Sequence, residues 1–419
     1  MSLIQKTALK SGINVITEEM PDVESATIGV WVNTGSRNEL PEVSGISHFI
    51  EHLLFKGTKK RTSLDISREI ESVGGVLNAF TSREYTCFYA KVLCSDLPLA
   101  IDLLSDIFMN SKFDKSELDR ERMVVFQEIK MVEDTPDDLV HDLFAANFWQ
   151  SHPLGRSILG TRKSVGELTR AQITKYFSEH YASNKALITA AGKLKHRTVV
   201  RALNRPFGHV KGRPPKEDAG RPVSTPGLKL YKKSLEQTHL CLGVPCAEQP
   251  NPDRYKTYLL NTILGGGMSS RLFQQIREKR GLAYSVYSYL NLCRDTGSLV
   301  AYAGTSKESF GEVVALMLKE FEKFRKKGVT PTELDNAKEQ LKGGMLLGLE
   351  TSDNRMSKLA RDEIYFNHFV PVKDIVKCID RVTVEDIRAM AETLFVPEKM
   401  TLVAIGKVAP EQLPEGLFQ

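Results

Sequence analysis

Residues 44–57 read Ser44-Gly45-Ile46-Ser47-His48-Phe49-Ile50-Glu51-His52-Leu53-Leu54-Phe55-Lys56-Gly57, and the rest of the chain is best read from His48, Glu51 and His52 at i, i+3 and i+4. On a helix that spacing gathers the three side chains on one face. At about 100° per residue, Ile46, Phe49, Ile50, Leu53 and Leu54 fall on the opposite side, and only Phe55 intrudes on the polar one. One face is thus built for a core while the other offers two imidazoles and a carboxylate. Two histidines one turn apart grip a single divalent metal, and a glutamate beside them is placed to act on a metal-activated water. The bland alternative is a pair of solvated histidines on a surface helix.

His-x-x-Glu-His is the order found in inverted zincins. Whether it means a metal site here depends on the remaining sequence. At 419 residues the chain is too long for one ordinary core, and two domains of about 200 residues are expected. The N-terminal residues run straight into a strand-like segment with no apolar signal region, and no stretch approaches the 18 apolar residues of a membrane span, so a soluble protein without an export signal is expected. Cysteines 87, 94, 241, 246, 293 and 378 stand in apolar strand-like or helical contexts without a C-x-x-C pair, which favours reduced, buried thiols in a cytoplasm-like compartment. A net charge of +5, with no basic stripe interleaved with aromatics, leaves no footprint for nucleic acid. One imbalance runs the other way: Glu117 to Asp142 holds nine acids against Arg120, Arg122 and Lys130.

Residues 5–17 and 25–34 cluster β-branched residues around Gly and Pro turns and are expected to form a hairpin of strands. Residues 63–73 read as a helix ended by Gly74-Gly75, and 76–93 as a strand pair. Helices are expected over 97–109, 115–132, from about Asp137, and over 168–181, with a small strand at 186–191. Residues 212–227 (GRPPKEDAGRPVSTPG) are rich in Pro, Gly and charge and read as an interdomain linker.

The sequence after the linker echoes the sequence before it. Glu117-Leu118-Asp119 recurs as Glu333-Leu334-Asp335, and Asp134-Thr135-Pro136-Asp137 as Glu350-Thr351-Ser352-Asp353, both at an offset of 216. Leu168-Thr169 with Ile173 recurs as Val382-Thr383 with Ile387, and Lys185 with Gly192-Lys193 as Lys399 with Gly406-Lys407, at an offset of 214. The chain is therefore a tandem duplication, with domains expected at 1–211 and 228–419. The counterpart of the motif helix, roughly Tyr258 to Gly267, has no His or Glu, and the counterpart of Glu128 is Gly344. Only the first half is equipped to hold a metal.

Two histidines need a third protein ligand and an open position for water. Glu128 is the best candidate: on its helix it lies in line with Glu121, Val124, Val125 and Val132, where an unpaired carboxylate would be costly to bury. Glu121, two turns earlier, reads as a carboxylate that orients a ligand histidine, as a spare ligand, or as half of an ordinary ion pair.

His48-Phe49-Ile50-Glu51-His52, with Glu128 standing 76 positions after His52 and Glu121 seven before Glu128, resembles the pitrilysin family of metallopeptidases. The likeness is greatest to mitochondrial processing peptidase β subunits and their single-chain bacterial relatives. It covers essentially the whole chain and implies an α+β fold: two homologous domains, each a mainly antiparallel sheet covered by helices, facing each other as a clamshell. It implies one zinc ion per chain on His48, His52 and Glu128, with Glu51 as the catalytic base. Asn78, Ala79 and Phe80 resemble the family's edge strand that binds substrate backbone. Arg277 and Tyr284, in Arg277-Glu-Lys-Arg-Gly-Leu-Ala-Tyr284, resemble the second-half pair that reaches the scissile peptide. Gly265, Gly266 and Gly267 resemble a substrate-handling loop of processing-peptidase α subunits, and equally a helix-ending turn.

The expected activity is zinc-dependent endoproteolysis of unfolded or presequence-like peptides, basic ones among them, in a cleft between the halves. Loop and metal motif in one chain imply a bacterial homo-oligomer, a homodimer in the simplest case. The rivals are a non-catalytic scaffold like the respiratory-complex core proteins, and a catalytic subunit that needs a separate partner chain.

Overall fold

The computed structural model describes residues 3–181, 186–210, 212 and 220–414. Residues 213–219 of the expected linker, and Lys185 of the repeat, lie outside the described residues.

The first sheet has six strands: β1 (Leu3–Ala8), β2 (Asn14–Glu19), β3 (Ser25–Val32), β4 (Val76–Thr81), β5 (Thr86–Leu93) and β6 (Leu187–Gly192). Their order is β1-β2-β6-β3-β5-β4, antiparallel throughout except for the parallel pair β2–β6. The expected hairpin is corrected here. Residues 5–17 themselves turn at Gly12, whose φ of +90° suits a residue without Cβ, to make β1 and β2, and β6 lies between β2 and β3.

Among the described residues, eight α-helices belong to the first half of the sequence: α1 (Ile46–Leu54), α2 (Ser63–Glu71), α3 (Leu97–Asn110), α4 (Lys115–Asp134), α5 (Pro136–Phe148), α6 (Arg162–Glu167), α7 (Arg170–Tyr176) and α8 (His196–Phe207). Ile46, Phe49, Ile50, Leu53 and Leu54 of α1 are fully buried and pack with the α3 residues Leu103, Leu104 and Ile107 on the sheet residues Val30, Phe88 and Ile188. Each such side chain contributes about 1.5–3 kcal/mol on burial, so α1 is held by its apolar face.

The second sheet repeats the plan with five strands: β7 (Gly227–Lys232), β8 (Thr238–Cys246), β9 (Ala283–Leu292), β10 (Gly297–Thr305) and β11 (Thr401–Gly406). Its order is β7-β11-β8-β10-β9, again with one parallel pair, β7–β11. β6 and β11 coincide residue for residue at the offset of 214 seen in the sequence. The accompanying helices are α9 (Arg254–Gly265), α10 (Phe310–Lys327), α11 (Pro331–Gly348), α12 (Ser352–Phe366), α13 (Val372–Arg381) and α14 (Val384–Leu394).

The compact units do not follow chain order. One comprises residues 1–131, 156–219 and 347–369, the other 132–155, 220–346 and 370–419. Counterpart helices have changed places. In the first unit α12 covers the sheet face opposite α1, packing Met356, Leu359 and Ala360 on Ile16, Trp31, Cys87 and Leu187. In the second unit α5 packs Val140, Phe144 and Phe148 on Cys241, Val300 and Val403. Both helices lie close to the strand beneath. A Cβ on Gly29 of β3 would meet the Met356 sulfur at 2.7 Å, and one on Gly243 of β8 would meet the Phe144 ring at 2.4 Å.

Candidate metal centre

α1 presents the polar face that its spacing predicts. The His48 Nε2 and the His52 Nε2 each lie 3.5 Å from the same oxygen, Oε2 of Glu128 on α4. The ligand atoms of the three residues fall within 4.8 Å of one another. The Glu128 oxygen is buried and accepts no hydrogen bond, so three acceptor-type atoms converge on one point. A zinc ion with ligand distances of about 2.1 Å would hold its ligand atoms about 3.4 Å apart, which fits the two His–Glu separations of 3.5 Å and the His-His-Glu donor set. Burial, and secondarily the neighbouring His52, lowers the His48 pKa to about 4, so its imidazole is neutral, as a ligand must be.

Glu121, buried on α4, accepts from the His52 Nδ1 at 3.0 Å and pairs through its other oxygen with Lys56 at 2.8 Å. That bond fixes the tautomer that turns Nε2 of His52 towards Glu128. Val124 departs from the expected line of buried α4 residues: it is 42% exposed while its neighbour Val125 is buried, because successive helical residues point about 100° apart.

Glu51 lies on the same face. Its pKa is raised, chiefly by burial, and the Thr81 hydroxyl donates to its Oε2 at 2.5 Å. Thr81 ends β4, an edge strand whose one partner among the described strands is β5. Asn78 and Phe80 on β4 are exposed and Ala79 is half-buried. The likeness of this segment to a substrate-binding strand gives no hint of the hydroxyl on Glu51. A Thr closing the strand beside the motif helix is the only signal the sequence carries.

Arg277 and Tyr284 belong to the second unit. They are brought together there, the guanidinium 4.6 Å from the tyrosine ring centre, and Tyr284 is 79% exposed. Gly265 ends α9 and Gly266 is its C-cap. A Cβ on Gly265 would strike Ser288 at 2.4 Å, so packing alone accounts for that glycine.

Residues 14–162 match the family described as Insulinase (Peptidase family M16), and residues 167–341 match the Peptidase M16 inactive domain. The chain belongs to peptidase family M16. An uncharacterised zinc protease of Mycobacterium bovis is 42% identical over 93% of this chain and 90% of its own length. One from Bacillus subtilis is 38% identical over 94% of this chain and 96% of its own length. At the level of fold, a peptidase M16 inactive domain from Pseudomonas fluorescens superposes with a TM-score of 0.90 at 21% identity, covering 97% of this chain and 98% of that one. A protease from Helicobacter pylori does so with a TM-score of 0.88 at 23% identity, covering 97% and 100%. The protein is accordingly an M16 zinc metalloprotease. Among the described residues no helix is long and apolar enough to cross a membrane.

Proposed function

We propose that this metalloprotease is an endopeptidase acting on unfolded peptides, presequence-like segments among them, with His48, His52 and Glu128 as ligands of one zinc ion per chain and Glu51 as proton carrier. The observation that carries the reading is the convergence of three ligand atoms on one point, with Glu51 on the same helix face. A zinc ion held there supplies Lewis acidity and a water whose pKa falls towards about 7. Glu51 takes the proton from the attacking water and hands it to the leaving amine, and its raised pKa suits a group that must hold a proton between the two transfers. Thr81 keeps the Glu51 carboxylate aimed.

β4 supports the reading of an unfolded substrate. Among the described strands its outer edge has no partner, so an extended peptide could add there as a further strand. Asn78, Ala79 and Phe80 would line that added strand. The resemblance supports Arg277 and Tyr284 as donors to oxygens near the tetrahedral centre, a contribution of about 10²–10³ in rate per donor. It alone supports Gly265, Gly266 and Gly267 as a substrate loop, and a homodimer, which the mass in solution tests. The acidic segment from Glu117 to Asp142 supports a preference for Arg or Lys near the cleaved bond, to be read as faster, salt-sensitive turnover of basic peptides. The six free cysteines support a reducing compartment such as the bacterial cytoplasm.

Glu51→Gln tests the proposal. Peptide cleavage should fall by about 10²–10⁴ while bound zinc is retained. A Glu51→Gln protein that still cleaves at the parental rate overturns the assignment of the base, and a parent chain that cleaves nothing with zinc present favours the scaffold or the partner-dependent subunit.

A further inference from the structure

α1 is only nine residues long and carries His48, Glu51 and His52, so its setting is theirs. Its N-cap, Gly45, has no side chain with which to cap. The opening amides are satisfied instead from six residues upstream of Gly45: Glu39 Oε2 accepts from the Gly45 N–H at 2.6 Å, and its Oε1 from the Ser47 N–H at 2.8 Å. Glu39 is 3% exposed, and its own carbonyl accepts from Arg156 at 2.7 Å. The backbone at Gly45 has a φ of +91° and runs so close to Leu159 that a Cβ would meet that carbonyl at 2.6 Å. The Ser164 hydroxyl donates to the Ser44 carbonyl at 2.7 Å.

The chain before α1 is thus tied down on several sides, but among these side chains only Glu39 grips the helix amides themselves. Burying a carboxylate is costly, and the cost here is visible: burial pushes the Glu39 pKa up to about 7 against the pull of the two amides. An ordinary N-cap side chain is not open to this helix: at position 45 it would reach the Ser47 amide but not the Gly45 amide, and no Cβ fits there. What the buried clamp adds is rigidity one residue before His48.

We infer that Glu39 is a positioning residue for the metal centre, fixing through the Gly45 and Ser47 amides where α1 presents the His48 and His52 Nε2 atoms. This rests on reading those two histidines as zinc ligands. The test uses the full chain and measures thermal melting, zinc affinity by competition with a chromophoric chelator, and kcat and KM on a peptide. Glu39→Gln places an N–H donor against an amide donor and should break one of the two bonds. Zinc affinity should fall by about 10–100-fold, as when a group behind a metal ligand is lost. The rate loss should appear in kcat, with KM within about twofold of the parent. Glu39→Asp should recover part of both.

Thr62→Ala, which removes the side-chain cap of α2, a helix that carries no residue of the site, should lower the melting temperature while leaving zinc affinity and kcat at parental values. Parental zinc affinity and kcat in a folded Glu39→Gln protein overturn the inference, as does a Thr62→Ala protein that loses zinc equally. Should Glu39→Gln show no cooperative melt, Glu39→Asp decides by the same criteria: weaker zinc binding than Thr62→Ala supports the inference and parental binding overturns it. His52→Ala separates the premise from the inference, because a His52→Ala protein with parental zinc affinity refutes the ligand assignment whatever Glu39 does.

Discussion

α1 with α4 and α9 with α11 accompany two sheets that share an order of five strands, yet among the described residues only the first pair brings His, His and Glu together. The α1 face has two imidazoles and a carboxylate, whereas α9 reads RYKTYLLNTILG and buries Leu259, Leu260, Ile263 and Leu264. α4 brings Glu128 to the site, and at its counterpart α11 has Gly343-Gly344, where a Cβ would meet nothing within 4 Å. The apolar positions that build the core were kept in both copies. The polar positions were not, since Glu121 and Glu128 of α4 correspond to Ala337 and Gly344 of α11 and α9 has no His or Glu, so the two copies share a fold and not a site.

The likeness of the two units is most vulnerable at the exchanged helices. Phe144→Ala removes a ring wedged against Gly243 and should cost about 3–5 kcal/mol in denaturant unfolding. Met356→Ala, against Gly29, should cost about 2–5 kcal/mol, towards the lower end because a flexible thioether leaves a more easily filled gap. If either change is neutral, its helix does not cover its sheet in solution as described. The contrast between the units can be probed by a smaller effect. Gly344→Ala should raise stability by about 0.5–1 kcal/mol, since an open helix-interior glycine has nothing to lose by gaining a Cβ. Its zinc content should stay parental, and a loss of either would mean that the glycine serves a purpose the core does not reveal.

Much of the fold and site is legible in the sequence because periodicity reports burial. Spacing alone separates the two faces of α1, and the repeat offsets place β6 and β11 in register. Glu128 stands out because a carboxylate near an apolar stripe needs a partner. Other features leave no mark, for physical reasons. An amphipathic helix states that it covers something but not which sheet, so the exchange of α5 and α12 shows in neither pattern. A strand does not name its neighbour, and the parallel insertion of β6 beside β2 is hidden for that reason. Thr81 and Glu39 act on α1 from elsewhere in the chain, and nothing in local spacing marks a hydroxyl or carboxylate that reaches a helix through space.

If the first unit alone holds the metal, on His48, His52 and Glu128, the stoichiometry of zinc must follow those three side chains. Elemental quantitation of zinc per chain in the purified parent, His52→Ala and Glu128→Gln proteins measures it. One zinc is expected in the parent, none in His52→Ala, and a strongly reduced content in Glu128→Gln. Two zinc ions per parent chain, or full zinc in His52→Ala, would contradict that assignment.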